Sequence, residues 1–221
     1  MTLAELARLI VSRADNSQGR FLAALAGPPA SGKSTVAEEL RDAVLALGKR
    51  CEVVPMDGFH LDNPILVARG LLPRKGAPET FDAAGFAAMI NRLKQGDEVI
   101  IPTFDRSRDI AIAGARAIPA ECKILIAEGN YLLFDDPAWR PLASLWSLSI
   151  FLNVAEPVLE ARLIQRWLDH GLTPDAARAR AESNDLPNAR RILAARLPGT
   201  STSSLSTATG MVAKRQPISA C

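Results

Sequence analysis

The sequence predicts an α/β sandwich, a mainly parallel five-stranded sheet with helices on both faces. Three observations carry that expectation. Short, nearly continuous apolar runs recur along the chain with helical patterns between or after them, the alternation that builds parallel sheets. The apolar content, 48% of 221 residues, comes mostly from Ala, Leu, Ile and Val, with only 5% aromatic residues, which suits helices and buried strands better than an aromatic-rich β-sandwich. The length fits one globular domain and is too short for two full-sized ones.

The chain opens on an amphipathic helix. Thr2 and Glu5 have capping-box spacing, and Leu3, Leu6, Leu9 and Ile10 share a face. Residues 16–20 break it. Phe21–Ala26 is the first apolar run, followed by a Gly/Pro turn and a helix over about 33–47 that Gly48 ends. Further strands are expected at 51–56, 98–101, 123–127 and Leu148–Leu152, each bounded by Gly, Pro, Asp or Asn and each apolar enough to be buried on both faces. Asp82 can cap a helix carrying Phe86, Met89, Ile90 and Leu93, which Gly96 terminates. Another helix runs over 156–170 with Pro157 tolerated in its first turn, and Thr173 opens a third with Pro174 after it and a run of Ala and Arg. The stretch 57–81 holds too many Pro and Gly for a regular element and reads as a substrate-side loop containing a short helix. Residues 200–209 are almost all Ser and Thr, a composition that cannot offset its ordering entropy by burial. The domain is therefore expected to span 1–197, with a disordered tail over 198–221.

Charge and cysteine usage exclude several function classes. The formal net charge is only +2, so no basic field favours nucleic acid, and the clustered arginines suggest a local anion site. Cys51, Cys122 and Cys221 form no CxxC and have no neighbouring His pair, which argues against a disulfide framework or zinc site. Glu5 and Arg8 interrupt any signal-peptide core, and the longest apolar run, residues 142–152, contains three serines and falls short of a membrane span. A cytoplasmic, membrane-free protein is expected.

The strongest chemical signal is Gly27-Pro28-Pro29-Ala30-Ser31-Gly32-Lys33-Ser34, which fits G-x-x-x-x-G-K-[ST] at every fixed position, after a strand and opening a helix. The glycines let backbone N–H groups curl around phosphate oxygens, and the helix adds the positive end of its dipole. Residues 27–35, through Thr35, are the candidate nucleotide-binding stretch of a P-loop NTPase fold. Lys33 is expected to reach the β- and γ-phosphates and the Ser34 hydroxyl to bind magnesium. No guanine-reading NKxD stretch and no LSGGQ signature follows, which disfavours a GTPase and a transporter ATPase.

Two apolar strands end in an acid, Asp57 and Glu128, at the strand ends that face the ligand crevice of an open parallel sheet. A kinase needs one acid for the acceptor hydroxyl and one for magnesium; the competing reading is that Asp-Gly and Glu-Gly are ordinary turn dipeptides.

At these residues the chain resembles a family. Pro55-Met56-Asp57-Gly58-Phe59-His60, Gly76-Ala77-Pro78-Glu79-Thr80-Phe81-Asp82, Ile101-Pro102-Thr103-Phe104-Asp105, Glu128-Gly129-Asn130-Tyr131 and Asn184-Asp185-Leu186-Pro187-Asn188-Ala189 resemble, in order, motifs of the uridine kinase, pantothenate kinase and phosphoribulokinase group of P-loop kinases. Phe104 stands where that group usually has Tyr. The overall pattern is most similar to the bacterial branch labelled fructose-transport-system kinase or nucleoside/nucleotide kinase family protein, over about residues 20–196. The resemblance implies a nucleoside-kinase fold, ATP plus magnesium, Asp57 as general base and Glu128 on the magnesium side. It also calls for a final apolar strand after Arg196, where this chain instead runs through Leu197-Pro198-Gly199-Thr200 into the Ser/Thr tail.

Arg162 and Arg166, four apart on one helix face before Asp169-His170-Gly171, look like the family's Arg-rich lid over about 162–172; a solvated helix face is the competing reading. Arg74 and Lys75 in the Pro/Gly-rich loop, and Arg106, Arg108 and Asp109 after a strand end, are candidates to meet the acceptor or nucleotide, as is His60. The expected partner is a small-molecule acceptor, and a homodimer is one admissible assembly. Three functions stay open at this point: a small-molecule kinase, a nucleotide-binding regulator without catalysis, and a partner-coupled P-loop ATPase.

Overall fold

The computed structural model describes residues 1–197 and the backbone of 201–203. Four strands form the centre: β1 (Phe21–Ala26), β2 (Cys51–Pro55), β5 (Ile124–Gly129) and β6 (Leu148–Leu152). They pair in parallel in the order β2-β5-β1-β6, and β7 (Ser201–Ser203) adds a short parallel edge beyond β6. The central strand β1 is buried at every position, because its side chains alternate between two cores. Leu22, Ala24 and Ala26 face one core, and Phe21, Ala23 and Leu25 face the other.

The second of these cores is closed by α1 (Leu3–Asp15) and α2 (Lys33–Ala46) through Leu6, Ile10, Val36, Leu40 and Val44. The expected capping box is present: Glu5 N–H donates to Thr2 Oγ1 at 3.2 Å and Thr2 N–H to Glu5 Oε2 at 2.7 Å. The first core is closed by α4 (Ala83–Gln95) through Phe86, Ile90 and Leu93, with Asp82 accepting from Gly85 N–H at 2.8 Å as its cap. Three further helices, α5 (Glu156–Asp169), α6 (Pro174–Arg180) and α7 (Leu186–Ala194), follow β6, with a π turn at Ala181–Asp185 joining the last two. The stretch 57–81 holds α3 (Asn63–Ala68) between short 3₁₀ turns, as its Pro and Gly content predicts.

Arg20, just before β1, ties α4 to the loop before β5. It is buried, and it donates to the carbonyls of Cys122, Leu93, Asp97, Gly96, Pro119 and Ala120 at 2.8–3.4 Å. One guanidinium thereby satisfies both the C-terminus of α4 and the loop before β5.

One sequence expectation is corrected here. The apolar run at 98–101 is not a fifth strand of the parallel sheet; it begins β3 (Val99–Asp105), which pairs antiparallel with β4 (Ile110–Ile118) in a separate two-stranded sheet. Val99 and Ile101 are buried while Ile100 is 47% exposed, the alternation of a strand with one wet face. Of the expected disordered tail over 198–221, only 201–203 is described, and there the backbone pairs in register with Ile150, Phe151 and Leu152. An edge strand needs only backbone N–H and C=O groups to pair, so a Ser/Thr composition does not forbid it. The rest of that tail lies outside the described residues.

Candidate functional site

Parallel strands deliver the Gly/Pro turn and both acids to one edge of the sheet. Ala26 at the end of β1 is paired with Gly129, and Pro55 at the end of β2 with Glu128. The loop 27–32, Glu128 and Asp57 therefore meet beyond the carboxyl ends, where an open sheet has its crevice. A cleft of about 970 Å³ opens there.

The loop is shaped by close packing. A Cβ at Gly27 would stand 2.9 Å from Ser31 Oγ and 3.0 Å from the Leu152 carbonyl oxygen, so any larger residue would have to push Ser31 and the end of β6 aside. Ala30 and Gly32 take φ of 60° and 88° and curl the backbone back on itself. No side chain caps the N-terminus of α2, which leaves its first N–H groups for a ligand. Lys33 is buried and donates to the Pro28 carbonyl at 2.9 Å. Burial pulls its pKa down to about 8, against the opposing pull of Glu128 and Asp57.

Ser34 Oγ donates to Glu128 Oε1 at 3.3 Å. Glu128 is itself buried, and its carboxyl is pushed up by desolvation first and by the Asp57 charge second, with Lys33 working the other way. Asp57 lies in the 3₁₀ turn Met56–Phe59 and is bound at 2.7 Å by Arg106, from the turn between β3 and β4. That hairpin docks on the 3₁₀ turn because a Cβ at Gly58 would lie 2.6 Å from the Pro102 carbonyl oxygen; only glycine admits the approach.

Beyond Asp57 the cleft wall is aromatic. The His60 ring packs 4.0 Å from Phe81 and 4.7 Å from Phe104, centroid to centroid. Burial lowers its pKa to about 4, and its Nδ1 is a buried atom without a hydrogen-bond partner. Lys75 Nζ holds Asn63 Oδ1 and Asp109 Oδ2, each at 2.8 Å, and lies 5.4 Å from the Phe104 ring. Across the cleft, Arg166 stacks 5.2 Å over Trp167, whose Nε1–H donates to Asp185 at 2.7 Å.

Most of the sequence-predicted residues converge. Pro29, Ala30, Gly32, Lys33, Ser34, Thr35, Asp57, His60, Lys75, Glu128 and Arg166 all line the cleft, while Gly27, Pro28 and Ser31 build the loop behind it. Three arginines are not brought to it. Arg74 pairs with Glu79 at 3.1 Å, and Arg108 with Asp105 at 2.8 Å, because a carboxylate close in sequence captures each. Arg162 stays outside the cleft but donates to the Ala30 carbonyl at 3.3 Å, bracing the loop from α5.

Sequence reasoning assigned no role to Trp167, Arg180 or Asn188, all of which line the cleft. Asn188 is buried, with Oδ1 unpartnered, and its Nδ2–H reaches Asn184. The available signal was the buried polar spacing itself: Asn184 and Asn188 are four apart on a helix whose neighbours Leu186, Ala189 and Ile192 are core.

Comparison with known proteins accords with this geometry. The phosphoribulokinase / uridine kinase family matches residues 22–177. Uncharacterized protein YggC of Escherichia coli (strain K12) is 39% identical over 181 residues, which cover 80% of this chain and 75% of that protein. A pantothenate kinase of Mycolicibacterium vanbaalenii is 33% identical over 67% of this chain, and the chain spans about half the length of that relative (48%). Among solved structures, a "putative fructose transport system kinase" from Silicibacter sp. TM1040 is 60% identical with a TM-score of 0.88, covering 91% of this chain and 98% of that one. YFH7 of Saccharomyces cerevisiae, 20% identical with a TM-score of 0.81 over 91% of this chain and 98% of its own, shares the fold. The chain belongs to the phosphoribulokinase / uridine kinase family, P-loop kinases of small metabolites.

Proposed function

We propose that the protein is an ATP-dependent kinase that transfers the γ-phosphoryl group to a hydroxyl of a small metabolite, a sugar, nucleoside or pantothenate-like alcohol. One observation carries the reading: Lys33, the Ser34–Glu128 pair and Asp57 meet at the same end of one cleft. An NTPase needs the first two; a carboxylate opposite them, at the entrance to an aromatic-walled pocket, serves an acceptor.

Each group has a task in that reaction. The N–H groups of 27–35 and the start of α2 receive the phosphates, and the buried, unpartnered Ser31 Oγ is one more polar atom that a phosphate oxygen can satisfy. Lys33 exchanges the Pro28 carbonyl for β- and γ-phosphate oxygens, which keep its buried amine protonated. Ser34 Oγ and Glu128 are an oxygen donor set suited to magnesium. Among the described residues no cluster of three or more His, Cys, Asp or Glu is set for a metal, so the remaining ligands would be phosphate oxygens and water. When bound, magnesium neutralises charge on the phosphate oxygens.

Asp57 orients the acceptor hydroxyl and takes its proton as the hydroxyl oxygen attacks the γ-phosphorus, whose bond to the bridging oxygen breaks with ADP as the leaving group. Arg166 faces the transferring group from the lid, while Arg162 holds the loop backbone. His60, neutral between two phenyl rings, and Lys75 form the acceptor side of the wall.

The test is ADP release from ATP and magnesium in the presence and absence of each member of an acceptor panel. The kinase reading predicts release that depends on one acceptor class. Release independent of every acceptor would instead indicate an ATPase, and ATP binding without turnover a regulator.

A further inference from the structure

The arginines where α6 and α7 meet the substrate-side loop are almost all paired with carboxylates. Arg74 and Arg191 share Glu79, Arg178 reaches Glu160 and Glu182, and Arg190 is bound to Glu156. Arg180 differs. Among the described residues it has no carboxylate within ion-pair distance, although it lines the cleft.

Two other contacts hold it there. Its guanidinium lies 5.2 Å over the Trp167 ring, and one N–H donates to the Pro73 carbonyl at 3.3 Å. The π turn that follows fixes the same docking, since Asn184 Nδ2–H donates to the Lys75 carbonyl at 2.9 Å. Turns of this kind within helices recur at ligand sites, because they re-aim side chains without ending the helix. Asp185, the carboxylate of this turn, is already engaged by Trp167.

Two other cations of the cleft wall are neutralised, and Arg166, on the same Trp167 ring, is the one assigned above to the transferring group. Lys75 is paired with Asp109, and Arg106 with Asp57. Arg180 therefore offers a stacked, oriented guanidinium whose remaining N–H groups suit a planar or tetrahedral anion. A neutral acceptor would leave that charge without a counterpart.

We propose that Arg180 anchors an anionic group on the acceptor, a carboxylate or a phosphate, so that the preferred substrates are hydroxy acids or phosphorylated polyols rather than neutral sugars or nucleosides. This inference rests on the kinase reading above. The hydroxyl is presented to Asp57 while the anion is held by Arg180, between the Trp167 ring and the Pro73 carbonyl.

Matched acceptor pairs test it: D-glycerate against glycerol, pantothenate against pantothenol, and fructose 6-phosphate against fructose, each with wild type, Arg180→Gln and Arg180→Lys. The expected result is that the best substrate is the anionic member of its pair, with the first two pairs reporting carboxylate and the third phosphate. Arg180→Gln should lower its kcat/KM by about 10- to 100-fold, the range for one charge-assisted hydrogen bond, chiefly through acceptor KM. The KM for ATP should stay unchanged, and Arg180→Lys should recover part of the loss. Equal use of the neutral partner would overturn the inference and leave the kinase reading intact. A loss shared by neutral and anionic acceptors, or a raised KM for ATP, would overturn it too, by placing Arg180 on the transferring phosphates. Absence of acceptor-dependent ADP release in all pairs would remove the kinase reading, and this inference with it.

Discussion

The Asp57 carboxylate accepts a 2.7 Å bond from the Arg106 guanidinium, so the proposed base is covered by a cation from the tip of the β3–β4 hairpin. The Arg106 side chain is 66% exposed, and pairs of that kind are worth about 0–1 kcal/mol. Displacing it by an acceptor hydroxyl therefore costs little.

The first prediction follows from that weakness. Arg106→Ala should keep kcat/KM for the acceptor within about fivefold of wild type, the equivalent of losing one exposed ion pair. A loss of about 100-fold or more would show Arg106 acting on the transferring phosphoryl itself, as removed charge-stabilising donors do.

Lys33 carries a buried charge in the ligand-free protein, and this has opposite consequences for stability and binding. Its folded pKa of about 8 lies below the ordinary value of 10.5, so the unfolded chain binds more protons between these pH values. Stability should therefore rise with pH across that window, as the cost of burying the charge, about 3 kcal/mol when full, is relieved. Lys33→Met should stabilise the ligand-free fold by a similar amount at pH 7, and denaturant unfolding reads this directly. The same variant should abolish phosphoryl transfer. In wild type the Kd for ATP should rise about tenfold per pH unit above about pH 8, because the neutral amine must be reprotonated on binding.

His60 gives an acid-side signature. Its folded pKa of about 4 lies below the ordinary 6.5, so the unfolded state again binds the extra proton between those values. The stability contributed by keeping the ring neutral is complete above pH 6.5 and is lost as pH falls to 4, by up to about 3 kcal/mol. His60→Phe should flatten the stability profile across that window. An unchanged slope would assign the acid lability to other groups.

Arg20 should be a stability residue without a catalytic effect. Replacing it by Met strands several buried carbonyls at once, at the end of α4 and before β5. The expected cost is about 3 kcal/mol or more, or a Tm lower by about 6–12 °C in a domain of this size, with KM for ATP unchanged.

The parts of the fold legible in the sequence are those where local pattern and tertiary role coincide. Phe21–Ala26 is apolar throughout because β1 is central and covered on both faces, and the phosphate-loop pattern sits where a strand must turn into a helix. The run at 98–101 was ambiguous because a short apolar segment has no period to separate a buried parallel strand from the wet-faced start of a hairpin. Its partner β4, Ile-Ala-Ile-Ala-Gly-Ala-Arg-Ala-Ile, carries small residues of low strand propensity and is held by its pairing with β3. Lys33 was legible from the phosphate-loop pattern that opens α2, and Asp57 and Glu128 from their place at strand ends. Arg180 and Trp167 were not, because their place depends on how α6 and the following turn dock against residues 73–75, through Pro73 and Lys75 carbonyls that leave no mark on side-chain pattern, while Asn188 showed only as a polar position four after Asn184 among core residues. Arg74 and Arg108 looked equivalent to Lys75 in sequence; nearby carboxylates separated them.

If Asp57 is the base for an acceptor hydroxyl beside an ATP site, its amide variant should bind ATP and fail to transfer the phosphoryl group. γ-Labelled ATP and magnesium are incubated with the acceptor that supports turnover, using wild type and Asp57→Asn, and label on the acceptor is measured together with the Kd for ATP. Expected are label transfer by wild type, a drop of about 100-fold or more in Asp57→Asn, the usual range for losing a positioned base, and an unchanged Kd. Label transfer that survives in Asp57→Asn, or a Kd that weakens in parallel with turnover, would contradict that role for Asp57.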